Sequence, residues 1–297
     1  MNDSNQRDAV TGGGNVPAVS VIMATYHSDN TDFLREAVES VLAQTWRDFE
    51  FLIVMDGPIP ESARGYLENT AANDQRVSLI RLDGNHGQAH ARNVAIQRAQ
   101  GEFIAVTDSD DVNLPDRLDK QVAFIKETGA DLVGGAYYTI DEYGAITGIR
   151  YEPRNHRQIA RALCFLNPIA NPTVLARRDV LKNNPYPDNR RRDGYVFGED
   201  YALWVTLARK GEVLRNLPEP VAKLRMDRNY VSRRRGFNRF YTDLCTKLRA
   251  VSIHPWYRRP FGLVAGMAIA SLRLLPAPCL KPAYRLRDRI RFGRMER

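Results

Sequence analysis

The chain has 297 residues, 43% of them hydrophobic and 26% charged, a globular composition that excludes disorder over most of its length. Its three cysteines, Cys164, Cys245 and Cys279, are odd in number and far apart, which excludes a disulfide framework, a zinc ribbon and a redox dithiol and points to a cytoplasmic protein. The net charge of +8 is unevenly spread: from Arg225 onward there are 18 Lys+Arg against 4 Asp+Glu, a local +14, and the remainder is net −6.

Residues 1–16 are polar, lack the apolar segment of a signal peptide, and read as a flexible N-terminal arm. Residues 19–24, 49–55 and 103–107 are nearly continuous apolar runs, predicted as strands buried on both faces. Between the first two, Phe33, Leu34, Ala37, Val38, Val41 and Leu42 fall on one helical face, with Thr31 or Asp32 expected to cap it. Residues 89–99 predict a second helix, and Pro115 is expected to open a third that runs to about Lys126. Strands alternating with helices over the first 135 or so residues predict an α/β fold, a mostly parallel sheet of right-handed βαβ units. After Val133 come the shorter strand-like pieces AYYTI and ITGIRY, the segment NPIANPT, and a helix within EDYALWVTLARKG.

In parallel sheets ligands bind beyond the carboxyl ends of the strands. Those ends carry Tyr26, then Asp56-Gly57, then Asp108-Ser109-Asp110-Asp111. A carboxylate there accepts hydrogen bonds from a uracil or ribose edge, and an aromatic ring lies against a base. Asp108 and Asp110, one residue apart, suit a shared divalent cation of the Mg²⁺ or Mn²⁺ type; the alternative is that these acids cap the helix near Pro115. Asn85, Gly87 and Arg92 lie in a loop and helix start suited to an anion, where His86 and His90 lack the glutamate of a zinc-protease motif. Glu199 and Asp200 open an apolar helix that includes Trp204; they read either as dipole-favoured N-terminal charges or as a general base facing an acceptor hydroxyl.

Taken together, VSVIMATYH, ESVLAQTWRDFEFLIVMDG, the N-x-G-x-x-x-A-R-N segment, GEFIAVTDSDD with PDRL, and GEDYALWVTLARKG resemble the inverting glycosyltransferases of family 2, which have the GT-A fold. The resemblance implies that Tyr26 and Asp56 hold the nucleotide base and that Ala24, Asn85, Gly87, Arg92 and Ser109 lie around the nucleotide. It implies that Asp108 and Asp110 bind the metal, that Asp200 is the catalytic base, and that Glu199 and Trp204 support the acceptor side. It divides the chain into a GT-A domain over 17–232, with a nucleotide half to about 135 and an acceptor half beyond it, and a basic helical region over 233–297. The sequence departs from the family at Ala24, His27 and Met55, and Asp227 stands where the family's loop has histidine. Without a QxxRW motif or spanning helices, transfer of one sugar from a nucleotide-sugar, UDP-sugar by family habit, to a saccharide acceptor is expected.

Residues 261–275 are the most apolar stretch, but a helix of that length rises about 22 Å, short of a ~30 Å hydrocarbon core. With Trp256, Tyr257, Arg258 and Arg259 before it and Arg285, Arg287, Arg289 and Arg291 after it, the region reads as an interfacial anchor for anionic lipid, or as a helix packed on the body. Such a peripheral enzyme suits a lipid-linked acceptor in surface-polysaccharide assembly. No nucleic-acid module accompanies the arginines, so a nucleic-acid partner is not expected. Two other classes compete: a sugar-phosphate nucleotidyltransferase, which would need a glycine-rich loop where this chain has ATYHSDN, and a non-catalytic saccharide- or lipid-binding protein.

Overall fold

The computed structural model describes residues 17–188, 198–226, 236–254 and 259–274. The expected N-terminal arm, Asp227, residues 256–258, Cys279 and the arginines from Arg285 onward lie outside the described residues.

The apolar runs form strands. β1 (Val19–Thr25), β2 (Phe49–Met55), β3 (Val77–Arg81) and β4 (Phe103–Val106) lie parallel in the order β3-β2-β1-β4, connected through α1 (Thr31–Leu42), α2 (Glu61–Asn73) and α3 (Gln88–Arg98). Val19 pairs with Phe49 on one side and Phe103 on the other, and Thr25 pairs with Met55, so Tyr26 and Asp56 leave the sheet at the same level. The chain continues through β5 (Val112–Asn113), α4 (Arg117–Thr128), β6 (Leu132–Ile140), β7 (Ile146–Arg150), α5 (His156–Ala162), β8 (Leu175–Arg177), α6 (Arg178–Asn183), α7 (Glu199–Lys210) and β9 (Leu214–Arg225). These extend the sheet to nine strands along β4-β8-β6-β9-β5, with β7 beside β6. The β6–β9 pairing is parallel, and the β4–β8, β8–β6 and β9–β5 pairings are antiparallel. Two helices, α8 (Phe237–Val251) and α9 (Arg259–Ser271), follow.

Each face of the sheet has its own core. Ile22, Val54 and Ile104 pack toward Ala91 and Ala95 of α3 and Trp204 and Leu207 of α7. Their neighbours Val21, Met23, Phe51 and Ile53 pack toward Val38 of α1, Leu67 of α2 and Val122 of α4. Alternate side chains point to opposite faces, so strands apolar at every position are covered by helices on both sides, each buried large side chain contributing roughly 1.5–3 kcal/mol.

Local details differ from the sequence reading. The cap of α1 is Asn30, whose side chain accepts from the amides of Asp32 at 2.8 Å and Phe33 at 3.2 Å; neither Thr31 nor Asp32 serves. Pro115 does not open α4, because the amide of Arg117 closes a turn on the Leu114 carbonyl at 3.1 Å. The helix starts at Arg117. β5 therefore separates Asp108–Asp111 from α4, and those acids are not its caps. β6 begins at Leu132 and runs through Gly134 and Gly135, where a Cβ would lie 2.2 Å from Asn216 Oδ1 and 2.8 Å from a Val221 methyl respectively.

Candidate active site

Asp56 is 3% exposed, and its carboxylate accepts the backbone amides of His86 at 2.6 Å and Gly87 at 2.7 Å. Gly57, at φ +83°, lets this turn pack against Asn85, whose amide nitrogen would lie 2.7 Å from any Cβ there. The loop expected to offer free amides to a phosphate thus spends those of His86 and Gly87 on Asp56. Asn85 accepts from Gly87 within the loop at 3.2 Å. Both residues hold the shape of the loop that leads into α3.

Arg92, on the buried face of α3, is 4% exposed. Its Nη2 donates to Asp108 Oδ1 at 2.6 Å, and its Nη1 lies 3.4 Å from Glu199 Oε1. Burial opposes the charge on Arg92, but Asp108 and Glu199 outweigh it and hold the guanidinium firmly protonated. One cation thereby ties the loop after β4 to the first turn of α7.

The loop after β4 gathers acids. Burial pushes Asp110 up to about 6, with Asp108 and Asp29 adding repulsion. Burial and the neighbouring Asp110 and Asp108 raise Asp111 well above the usual carboxylate range. Ser109 donates its hydroxyl to Asp29 at 2.6 Å. From β9, the amide of Arg225 donates to Asp111 at 2.8 Å, and its guanidinium donates to the Asp110 carbonyl at 3.1 Å and to Glu36 at 2.5 Å. Carboxylates that repel one another in this way suit a hard divalent cation. Among the described residues no group of three or more His, Cys, Asp or Glu side chains is placed to hold a metal ion together.

At the start of α7, Glu199 is raised by burial and by its neighbour Asp200, while Arg92 opposes the shift. Asp200 accepts from the side-chain amide of Asn167 at 2.7 Å. Asp108, Asp110, Glu199 and Asp200 line one cleft of about 610 Å³, with Tyr26 and Arg92 also in its wall. Trp204 does not reach it: the ring is fully buried against Tyr186 at 6.2 Å, because position 204 faces the core side of α7, and an acceptor contact from it is withdrawn. Ala24 packs partly buried against the core. Asp29 and Asn167 escaped the sequence reading, and Arg225 stood out only as the arginine two residues before Asp227 in the loop where the family has histidine. Each is a lone polar residue in a loop or at a strand end, and only the fold brings it to the acids.

A family model described as "Glycosyl transferase family 2" matches residues 20–184. An uncharacterized glycosyltransferase of Methanocaldococcus jannaschii is 31% identical over 73% of this chain and 74% of its own length. The amylovoran biosynthesis glycosyltransferase AmsE of Erwinia amylovora is 29% identical over 74% of this chain and 80% of its own. The chain belongs to glycosyl transferase family 2. A crystal structure of S. aureus TarS 1-349 in complex with UDP-GlcNAc superposes with a TM-score of 0.60 at 18% identity, covering 86% of this chain and 72% of that one, and the shared fold is GT-A.

Proposed function

We propose that this glycosyltransferase transfers one sugar, with inversion, from a nucleotide-sugar to a hydroxyl of a lipid-linked saccharide acceptor in surface-polysaccharide assembly. The observation that carries the reading is that Asp108, Asp110 and Asp200, far apart in sequence, edge a single cleft. In it, Tyr26, 40% exposed at the end of β1, stacks on the nucleotide base. Asp108 and Asp110 would hold a Mn²⁺ or Mg²⁺, which would supply Lewis-acid neutralisation of the leaving diphosphate. Arg92 keeps Asp108 oriented. From the first turn of α7, Asp200 removes the proton of the acceptor hydroxyl as it attacks the anomeric carbon. Asn167, bound to one carboxylate oxygen, leaves the other to take that proton. Glu199 stays behind it against Arg92.

The AmsE likeness supports polysaccharide assembly, and the UDP-GlcNAc held by TarS supports testing UDP-sugars first. No helix among the described residues is long and apolar enough to cross a membrane. A cytoplasmic enzyme held peripherally on anionic lipid through its C-terminal region fits the arginine-rich sequence there.

The test is a panel of UDP- and GDP-sugars scored for Mn²⁺-dependent thermal stabilisation, which reads native-state affinity by mass action. Asp200→Asn should keep that stabilisation and lose turnover by roughly 10²- to 10⁴-fold, the usual contribution of a general base. Unchanged turnover would remove Asp200 from the mechanism.

A further inference from the structure

The cleft has a second wall that comes from the C-terminal helices. Arg239, Thr242, Asp243 and Thr246 of α8 line it together with Arg273, which follows α9. Spaced three and four apart, the α8 residues share one helical face. Asp243 does not make this wall acidic. Burial alone would raise it, but Lys247 at 2.5 Å and Arg273 at 3.2 Å hold it below the usual range and ionised. Arg239 and Arg273 against Asp243 leave the lining of this wall one charge positive, and Lys247, buried behind it, is paired to Asp243. The wall formed by Asp108, Asp110, Asp111, Glu199 and Asp200 is acidic, with Arg92 and Arg225 beside it. The cleft lining is therefore mixed, acidic where a cation and the attacking hydroxyl are proposed to sit and net positive along α8 and Arg273.

The basic wall adjoins exposed apolar side chains. The amide of Gly236 donates to the carbonyl of Arg273 at 3.0 Å, which joins the start of α8 to the end of α9. The next residue along each chain, Phe237 and Leu274, is 69% and 52% exposed.

We infer that Arg239 and Arg273 form an acceptor subsite that binds the phosphate linking the saccharide to its lipid, with the first part of the lipid running over Phe237 and Leu274. This rests on the proposed transferase reading and deepens it. Charge complementarity selects the occupant: the donor diphosphate belongs with the cation at the acidic wall, whereas a basic wall beside an apolar lip suits an acceptor that is anionic next to its lipid and neutral at its sugar.

Calorimetry of the full chain with geranyl diphosphate in EDTA tests this, because without a divalent cation the acidic wall has no means of holding a diphosphate. Binding should weaken at least tenfold in Arg239→Gln and in Arg273→Gln, with Arg239→Lys retaining most of it, and inorganic pyrophosphate should bind more weakly than the prenyl compound. Asp110→Asn should leave it unchanged. Equal affinity in both glutamine variants, with melting temperatures matching the parent, would overturn the subsite, as would binding that requires Mn²⁺ and disappears in Asp110→Asn. Equal binding of pyrophosphate and geranyl diphosphate would overturn the lipid component. Mn²⁺-dependent nucleotide-sugar stabilisation, measured on the same samples, separates the two readings: its absence from the parent protein defeats the transferase proposal, and its presence beside an indifferent Arg239 defeats the subsite alone.

Discussion

Arg92 concentrates the site's electrostatics in one side chain. It is nearly inaccessible and faces two carboxylates from different elements, so removing it strands Asp108 and Glu199 in a partly buried setting without a counter-charge. Breaking a buried pair by deleting one partner costs about 3–5 kcal/mol, and the partial exposure of both acids places Arg92→Met toward the low end, near 3 kcal/mol in denaturant unfolding. Arg92→Lys should recover little of that loss, since a single ammonium nitrogen cannot span both carboxylates as the two terminal nitrogens of the planar guanidinium do. Nucleotide-sugar affinity measured by calorimetry should fall in both variants; parental stability and affinity in Arg92→Met would show that the bridge does nothing. The sequence exposed Arg92 as a helix-start cation but not its partners, which lie 16 and 107 residues away. Asp56 was visible as an acid followed by glycine at a strand-end turn, but nothing local reveals that its carboxylate also accepts the amides of the loop before α3.

At the scale of elements, the half built of local βαβ units was the more legible; in the other half AYYTI, ITGIRY and the helix within EDYALWVTLARKG were read, but β8 and β9 were not. Residues 19–24 and 49–55 declare themselves because both faces are covered. β9 hides because Pro218 and Pro220 lie inside it, and prolines argue against a central strand. It tolerates them where its pairing with β6 slips register around Ala136. The PDRL motif also carries more than a helix start. Arg117 of α4 is 1% exposed and donates to the carbonyls of Val106 at 2.8 Å and Val174 at 3.0 Å, and to Gln121 at 2.9 Å. It fastens the end of β4, from which the acidic loop departs, to the turn before β8. Arg117→Met preserves the bulk and leaves these acceptors without a donor, so a loss of about 3 kcal/mol is expected in urea unfolding, summed from charge-assisted bonds of roughly 1.5–3 kcal/mol and partial relaxation. A loss below about 1 kcal/mol would mean that neighbouring groups or water replace the donor.

At the scale of the whole molecule, the positive charge of the sequence gathers in its C-terminal part, which also contains α8 and α9. α9 meets α8 through Gly262, Gly266 and Ala270, spaced four apart; a Cβ on Gly266 would already touch the Cys164 carbonyl at 3.4 Å and Lys247 at 3.5 Å. That close approach satisfies the packed-helix reading for one face of α9. The opposite side shows Phe261, Val264 and Met267, which are 72%, 65% and 46% exposed, in a chain whose sequence from Arg225 onward carries a net +14. On the proposed peripheral reading, a face this apolar in a sequence region this basic suits an anionic bilayer surface, where apolar insertion and roughly 1 kcal/mol per nearby Lys or Arg act together. Co-sedimentation with phosphatidylglycerol vesicles should therefore exceed that with phosphatidylcholine vesicles, and the excess should shrink as salt screens the attraction. Replacing Phe261, Val264 and Met267 together by serine removes surface worth about 25 cal/mol per Å² on insertion, so vesicle affinity should drop by roughly tenfold or more. Transfer to a soluble acceptor should be unchanged, because none of the three lines the cleft. Equal sedimentation of parent and triple variant would assign α9 to packing alone and leave the basic end of the molecule without a membrane role.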